Sequence, residues 1–355
     1  MAKRVTLAEV AADAGVSAKT VSDVIHHRGR MRESTRERVE ASMRRLGYRT
    51  NLAARTLRTG EARLIGLAVP NFAQPFNGAF ADAVTAYAWS KGYRVSITTY
   101  HRLDQGMREL AADAYRFGVD GWIFLSDEPL EKGGECLRRN APSVLTGDYL
   151  AHGAADAVTF PNVAAAETAV RYLFDRGALH IGFVGAPVGL LAANGDFDPK
   201  RLAKVMQSDE GNAPQRFRGY AQVLRERGRE VSSRLVGVCE RLDRADGEHA
   251  VLDMLARGAR FDALFCANDA VALGALSALD ASGLSVPDDV QLVGFDNIPD
   301  AEFSTPRLTT INPSTEQYAR IAVDRLLARL HGDESAPEVY VTDFGLVVRD
   351  TTREG

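Results

Sequence analysis

The feature that most constrains this chain is an internal repeat. From residue 64 onward, short β-rich runs alternate with amphipathic stretches, and six of those stretches end at a glycine (Gly92, Gly118, Gly177, Gly228, Gly258, Gly283) shortly before the next run. A glycine placed there supplies the left-handed residue that stops a helix, so the pattern reads as strand–helix–strand punctuation. The runs also pair across two halves. Leu64-Ile-Gly-Leu-Ala-Val69 answers His180-Ile-Gly-Phe-Val-Gly185, and Val95-Ser-Ile-Thr-Thr-Tyr100 answers Leu235-Val-Gly-Val-Cys-Glu240. Val119 to Ser126 matches Phe261 to Asn268, and Ser143 to Asp148 matches Gln291 to Asp296. The expectation is an α/β fold with two similar subdomains, each built on a doubly wound parallel sheet. Ligands of such sheets lie beyond the carboxyl ends of the strands, so two facing subdomains enclose a cleft.

The repeat is imperfect at one place. The first pair of runs is 116 residues apart and the second 140, which leaves up to 24 extra residues between Gly185 and Leu235. They fall at Pro187 to Pro214, where Asn194-Gly-Asp-Phe-Asp-Pro-Lys-Arg201 and Ser208-Asp-Glu-Gly-Asn212 read as a polar loop around one short helix. Two readings stand: a segment beside the cleft mouth that shapes ligand choice, or a disordered surface insertion.

Charge separates the first part of the chain from the rest. The first 63 residues hold 14 Lys/Arg against 7 Asp/Glu, a net +7, within a chain whose formal net charge is −4. A basic head on an acidic body suits a polyanion-binding module joined to another unit, because phosphates attract one and repel the other. With 355 residues, 45% of them apolar and 13 prolines, the chain has enough material for two or three folded domains and is not of disordered composition. Cys136, Cys239 and Cys266 stand far apart, without metal-ligand or CxxC spacing. No apolar run of about 18 residues and no signal-peptide core is present, so a soluble, cytoplasmic (nucleoid-associated) protein with no membrane partner is expected.

The head itself has local signals. Thr6-Leu-Ala-Glu9 has capping-box spacing and opens a helix with Leu7, Val10, Ala11 and Ala14 on one face, stopped by Gly15. Ser17 can cap a second helix, Ala18 to His26, after a turn of three or four residues. Two short helices joined in this way form the helix-turn-helix pattern, whose second helix can enter the DNA major groove. Ser34-Thr-Arg-Glu37 is a second capping box, expected to open a third helix with Val39, Met43 and Leu46 facing the core and Gly47 ending it.

The run Val5-Thr-Leu-Ala-Glu-Val-Ala-Ala-Asp-Ala-Gly-Val-Ser-Ala-Lys-Thr-Val-Ser22 resembles the headpiece of the LacI/GalR transcriptional regulators. The resemblance continues through Ser34 to Val39, Leu46-Gly-Tyr48 and Asn51-Leu-Ala-Ala-Arg-Thr-Leu57, the last similar to the family's hinge helix. In the body it is strongest over Phe261 to Gly274, Val286 to Asp296 and Pro306 to Ile311. It implies an N-terminal three-helix helix-turn-helix headpiece (1–48), a hinge (49–62), and a periplasmic-binding-protein-like core of two subdomains (63–161 with 313–341, and 162–312 with 342–355). The chain then crosses between subdomains near 161, 312 and 342.

For function, the resemblance implies a regulator, read here as a repressor, that binds a pseudo-palindromic double-stranded operator as a homodimer under control of a small-molecule effector such as a sugar or sugar derivative. No cofactor is implied. The sequence shows no heptad tail, so dimers are expected rather than tetramers. The DNA-contact candidates are Thr6, Ser17, Ala18, Lys19, Thr20, Ser22, Asp23, His26, Asn51, Ala54, Arg55 and Leu57. Of these, Ala18, Lys19 and Asp23 are expected to face bases, Ser17, Thr20 and Ser22 to hold phosphates or cap, and paired Leu57 side chains to wedge into the minor groove. Asp23 stands where the family often has a basic or amide residue, and Thr50 where it often has proline.

In the core, Asn268, Asp296 and Asp148 sit at strand ends, where each could equally cap a helix or close a turn. By resemblance they join Arg216 as polar effector contacts, with Asn71, Phe76, Phe160 and Leu242 completing the candidate set. Phe76 is also a candidate for plain core packing. Phe160-Pro161 replaces a common Asp or Asn contact, and Leu242 stands near where an aromatic often stacks, which argues against a standard pentose or hexose. A catalytic reading finds no GxGxxG, Walker-type loop, GxSxG or His-rich metal motif, and the seven histidines are scattered.

Overall fold

The computed structural model describes residues 5–25, 31–48, 61–131, 134–138 and 141–354. The chain divides into two compact units, Met1–Ala62 and Arg63–Gly355.

Among its described residues the first unit has three helices, α1 (Leu7–Ala14), α2 (Ala18–Ile25) and α3 (Glu33–Leu46). The Thr6/Glu9 capping box forms on both arms, and Gly15 ends α1 at φ +64. Val10, Ala11, Ala14, Val21, Val24 and Val39 make the small core, with Met43 and Leu46 packed against it. The second expected capping box does not form. Helix α3 starts at Glu33, before Ser34, and Arg32 caps it without a side-chain bond. Glu33 instead sits in the first turn, where its charge suits the helix dipole, and pairs with Arg36 at 3.7 Å.

The second unit holds two six-stranded sheets. In chain order, its first part runs β1 (Leu64–Val69), α4 (Pro75–Ser90), β2 (Arg94–Thr99), α5 (Gly106–Asp113), β3 (Gly121–Ser126), α6 (Glu135–Arg138), β4 (Ser143–Gly147), β5 (Asp156–Thr159) and α7 (Asn162–Asp175). There follow β6 (Ile181–Ala186), α8 (Pro199–Gln207), α9 (Asn212–Glu226), β7 (Val236–Val238), α10 (Arg244–Ala256), β8 (Ala263–Cys266), α11 (Asp269–Ala281), β9 (Gln291–Phe295), α12 (Pro299–Phe303) and β10 (Thr309–Asn312). The chain closes with α13 (Thr315–Leu330), β11 (Val339–Val341) and β12 (Gly345–Val347). The sheet orders are β11-β5-β4-β3-β1-β2 and β12-β10-β9-β8-β6-β7, so the 2-1-3-4-5 order of the first sheet recurs in the second. All eight paired sequence runs carry a strand, and all six glycines that punctuate them have φ between +61 and +82. Among the described strands, β12 alone is antiparallel to its neighbour, β10.

Each sheet is buried on both faces, which explains why its central strands are continuous apolar runs rather than alternating ones. Clusters around Phe80 and Trp122 cover the two faces of the first sheet, and clusters around Phe217 and Val271 those of the second. Two helices cross over in partnership. α7 follows the first sheet's β5 but packs against the second sheet and α9, whereas α13 follows the second sheet's β10 but packs against β3, β4, β5 and α4.

Pro187 to Pro214 is ordered, not a disordered insertion. Leu191 and Phe197 form a β-bridge, Asp198 caps α8 by accepting from the Arg201 amide at 2.9 Å, and Leu190 and Val205 are buried in the second half's core. Among the described residues no helix is long and apolar enough to cross a membrane.

Helices α10 and α11 meet through two glycines. A Cβ on Gly274 would lie 1.9 Å from the Arg244 carbonyl oxygen, and one on Gly247 would lie 2.3 Å from the Val271 carbonyl oxygen. These neighbours are backbone and cannot rotate away. Gly274→Ala is therefore expected to cost about 1–3 kcal/mol of core stability, measured as a lower urea midpoint; an unchanged midpoint would contradict the close approach.

Candidate DNA interface and effector cleft

On the headpiece, Ser17 accepts from the Thr20 amide at 3.1 Å, and its hydroxyl lies 2.9 Å from the Thr20 hydroxyl, so both are engaged in capping α2. Ser17, Ala18 and Lys19 are exposed, Ser22 and Asp23 are half-buried, and Val21 and Val24 face the core. The outward side of α2 thus presents one cation, one carboxylate and small side chains. Thr6 is exposed and committed to its capping box. His26, Asn51, Ala54, Arg55 and Leu57 lie outside the described residues, as does the expected hinge helix.

One group missed in the sequence fixes α1 against α3: Ser42 donates to Asp13 at 2.5 Å and Arg45 pairs with the same carboxylate. These bonds, from Ser42 first and Arg45 second, hold the Asp13 pKa below the usual carboxylate value. An aspartate ending one helix and a Ser-x-x-Arg face on another was the available signal, but nothing local links them.

In the core, the strand ends of the second sheet converge on Arg216, and Asn162 links them to the end of β4. Arg216 lies on α9, is only 2% exposed, and uses its Nε to donate to Asn162 Oδ1 at 2.8 Å. One terminal nitrogen donates to the Ala267 carbonyl beyond β8 and lies 3.5 Å from Asp296 beyond β9. The guanidinium also stacks 3.4 Å from the centre of the Phe295 ring. Asn162 in turn donates to Asp148 at 2.6 Å, and Thr159 donates to the same oxygen at 3.0 Å. The result is a polar chain, Asp148–Asn162–Arg216–Asp296, that begins at the end of β4 and finishes at the end of β9. A second buried acid, Asp269, accepts from Thr310 and from the Ile298 amide.

The structure brings Asp148, Arg216 and Asp296 into one network. Asn268 is spent on local structure: it caps α11 by accepting from Val271 and donates to the Leu242 carbonyl. Asn71 accepts from the Ala73 and Gln74 amides, closing the turn before α4. Phe76 packs edge-on to Phe160 at 5.7 Å and near Tyr318, while Phe160 is itself buried against Tyr318. Leu242 adopts φ +54, and its side chain packs into the second half's core. Gln74 bridges the halves by donating to the Arg241 carbonyl at 2.6 Å. Asn162, Asp269 and Gln74 were not singled out in the sequence; a buried asparagine just after the Phe160-Pro161 strand end is the one signal that could have been weighed.

Asp296 has φ +112, a conformation costing about 1–3 kcal/mol for a non-glycine residue and found mainly where the surroundings enforce it. Its amide is held by the Ile311 carbonyl at 2.8 Å. Burial pushes its pKa up to about 7, with Asp148 adding to the rise and Arg216 opposing it. Burial likewise raises Asp269, with Asp296 beside it.

Comparison with known proteins decides the relationship. The model for bacterial regulatory proteins of the lacI family matches residues 6–51, and a periplasmic binding protein-like domain matches residues 170–352. A LacI-type transcription regulator from Bifidobacterium animalis subsp. lactis is 40% identical, with 82% of this chain and 100% of that one covered and a TM-score of 0.75. This chain belongs to the LacI family. It is also 28% identical to the transcriptional repressor CytR of Escherichia coli K12, over 98% of this chain and 96% of that protein. The Lac repressor dimer bound to operator and an anti-inducer covers 99% of both chains at 25% identity and a TM-score of 0.80. The LacI-family chain is thus a DNA-binding transcriptional regulator, and the relatives named are regulators, not enzymes.

For this LacI-family core, the raised Asp296 pKa gives a signed expectation. The folded state holds this proton more tightly than the unfolded chain, so the associated stability is present below about pH 4 and is lost as the pH rises towards about 7. Thermal unfolding at intervals from about pH 5 to 8 should show Asp296→Asn gaining on the wild type as the pH rises; parallel curves would refute the assignment.

Proposed function

We propose that this protein represses transcription as a homodimer on a pseudo-palindromic operator, with a small-molecule effector bound between the core halves. The observation that carries the reading is the polar chain Asp148–Asn162–Arg216–Asp296, with Asn162 and Arg216 buried, which joins the strand ends of both sheets. A ligand that competes for any member must change how the halves meet. An arginine with short acids and amides suits hydroxyl-, carbonyl- or carboxylate-bearing ligands such as sugar derivatives, because an unpaired buried donor costs about 1–3 kcal/mol.

On DNA, α2 is the recognition helix: one helix reads too few bases, and a two-fold dimer supplies two half-sites. Ala18, Lys19 and Asp23 face bases, Lys19 donating to guanine and Asp23 accepting from cytosine N4, while Ser17, Thr20 and Ser22 hold phosphates or cap the helix. Leu57, in the hinge, wedges into the central minor-groove step.

Operator selection with full-length protein, followed by a thermal-shift screen of sugars and nucleosides, tests both ends. A ligand at 100 times its dissociation constant stabilises the fold by about 2.7 kcal/mol, and the reading fails if no DNA sequence is enriched. Lys19→Ala should weaken operator binding by about 1–3 kcal/mol in fluorescence anisotropy, and Asp23→Asn should change base preference at one operator position. Arg216→Lys should remove the effector response while DNA binding persists; loss of DNA binding with intact effector binding would reverse the assignment.

A further inference from the structure

The segment Pro187 to Pro214 has no counterpart in the first half, and its last residues reach across to that half. The Gly211 amide donates to the Asp148 carbonyl at 2.7 Å, and Glu210 accepts from the Leu150 amide at 2.9 Å. At its other end the segment is rooted in the second half's core through Leu190, Leu202, Val205 and Met206. It therefore ties the Asp148–Leu150 loop of one half to the body of the other.

What that loop carries gives the tie its meaning. Gly211 is also the N-cap of α9, the helix that bears Arg216, and sits at φ +79, where glycine is favoured. A closed ring results. Gly211 holds the Asp148 backbone, the Asp148 carboxylate holds Asn162, Asn162 holds Arg216, and Arg216 returns along α9 to Gly211. Ser208 stiffens the tie by donating to the Glu210 carbonyl at 2.8 Å and accepting from the Glu210 amide at 3.2 Å, while Arg218 donates to the Ser208 carbonyl at 2.8 Å.

We infer that Glu210 and Gly211 are positioning residues for the effector site, acting through Asp148 to set where Asn162 and Arg216 stand and hence how the two core halves meet. This rests on the regulator reading above and goes beyond it, because it assigns control of the cleft to a segment outside the effector-contact candidates. The segment is then a strap, and its release loosens the first half's side of the network without disturbing either sheet.

The test compares full-length Glu210→Ala with Glu210→Gln, which keeps an acceptor oxygen. In hydrogen exchange, the Leu150 amide should exchange about tenfold faster in Glu210→Ala and stay near the wild-type rate in Glu210→Gln. On an operator selected with the wild-type protein, Glu210→Ala should shift the dissociation constant by about threefold or more, with Glu210→Gln restoring it. Unchanged exchange in Glu210→Ala would overturn the strap contact. Faster exchange with an unchanged operator constant would overturn the positioning role and leave a purely structural tie. If the wild type selects no DNA at all, the regulator reading fails and takes the positioning role with it, while the exchange measurement still reports on the contact.

Discussion

Burying a guanidinium is the constraint around which this core is arranged. A cation withdrawn from water needs partners for its charge and its donors, and removing one partner of a buried pair costs about 3–5 kcal/mol. Arg216 satisfies that demand by drawing in groups from separate places: the Asn162 amide at the start of α7, the Ala267 carbonyl beyond β8, the Phe295 face at the end of β9 and the Asp296 carboxylate just beyond it. Asp148 joins at one remove. Because Asp148 belongs to the first half and Arg216's direct partners to the second, the electrostatic requirement of one side chain becomes, through Asn162, a geometric relation between two sheets.

The surrounding acids are not fully compensated by that one arginine. Burial raises the pKa of both Asp296 and Asp269; Arg216 pairs with Asp296, while Asp269 accepts from a hydroxyl and an amide and the Arg349 charge opposes part of its rise. The strained backbone at Asp296 belongs to the same economy, since the fold holds this carboxylate in place against its local preference.

How much of this could be read from the sequence depended on how local each signal was. The eight strands that repeat in pairs, the glycine stops and the Thr6 capping box depend on residues within a few positions of one another, and they were legible. The short strands β5, β10, β11 and β12 have no such signal: they are three or four residues long and exist because the neighbouring sheet offers an edge. Ser34 shows the limit of motif spacing, since a helix can begin two residues earlier when a glutamate suits its first turn. In the site, Asp148 and Asp296 were legible as polar residues at matching strand ends of the repeat, whereas Arg216 was named through family resemblance. Asn162 escaped notice because its role is to join residues 14 and 54 positions away.

The traded helices α7 and α13 carry a consequence for how such a chain could be cut or recombined. Each half completes a layer of its sandwich with a helix that the other half's strands deliver. A fragment ending at residue 161 would keep five strands of the first sheet and lose α13, β11 and the apolar cover that Tyr318, Ala322 and Leu326 place over them. Neither half is therefore a contiguous module, and a gene exchange that preserved a working core would have to move two separated stretches together.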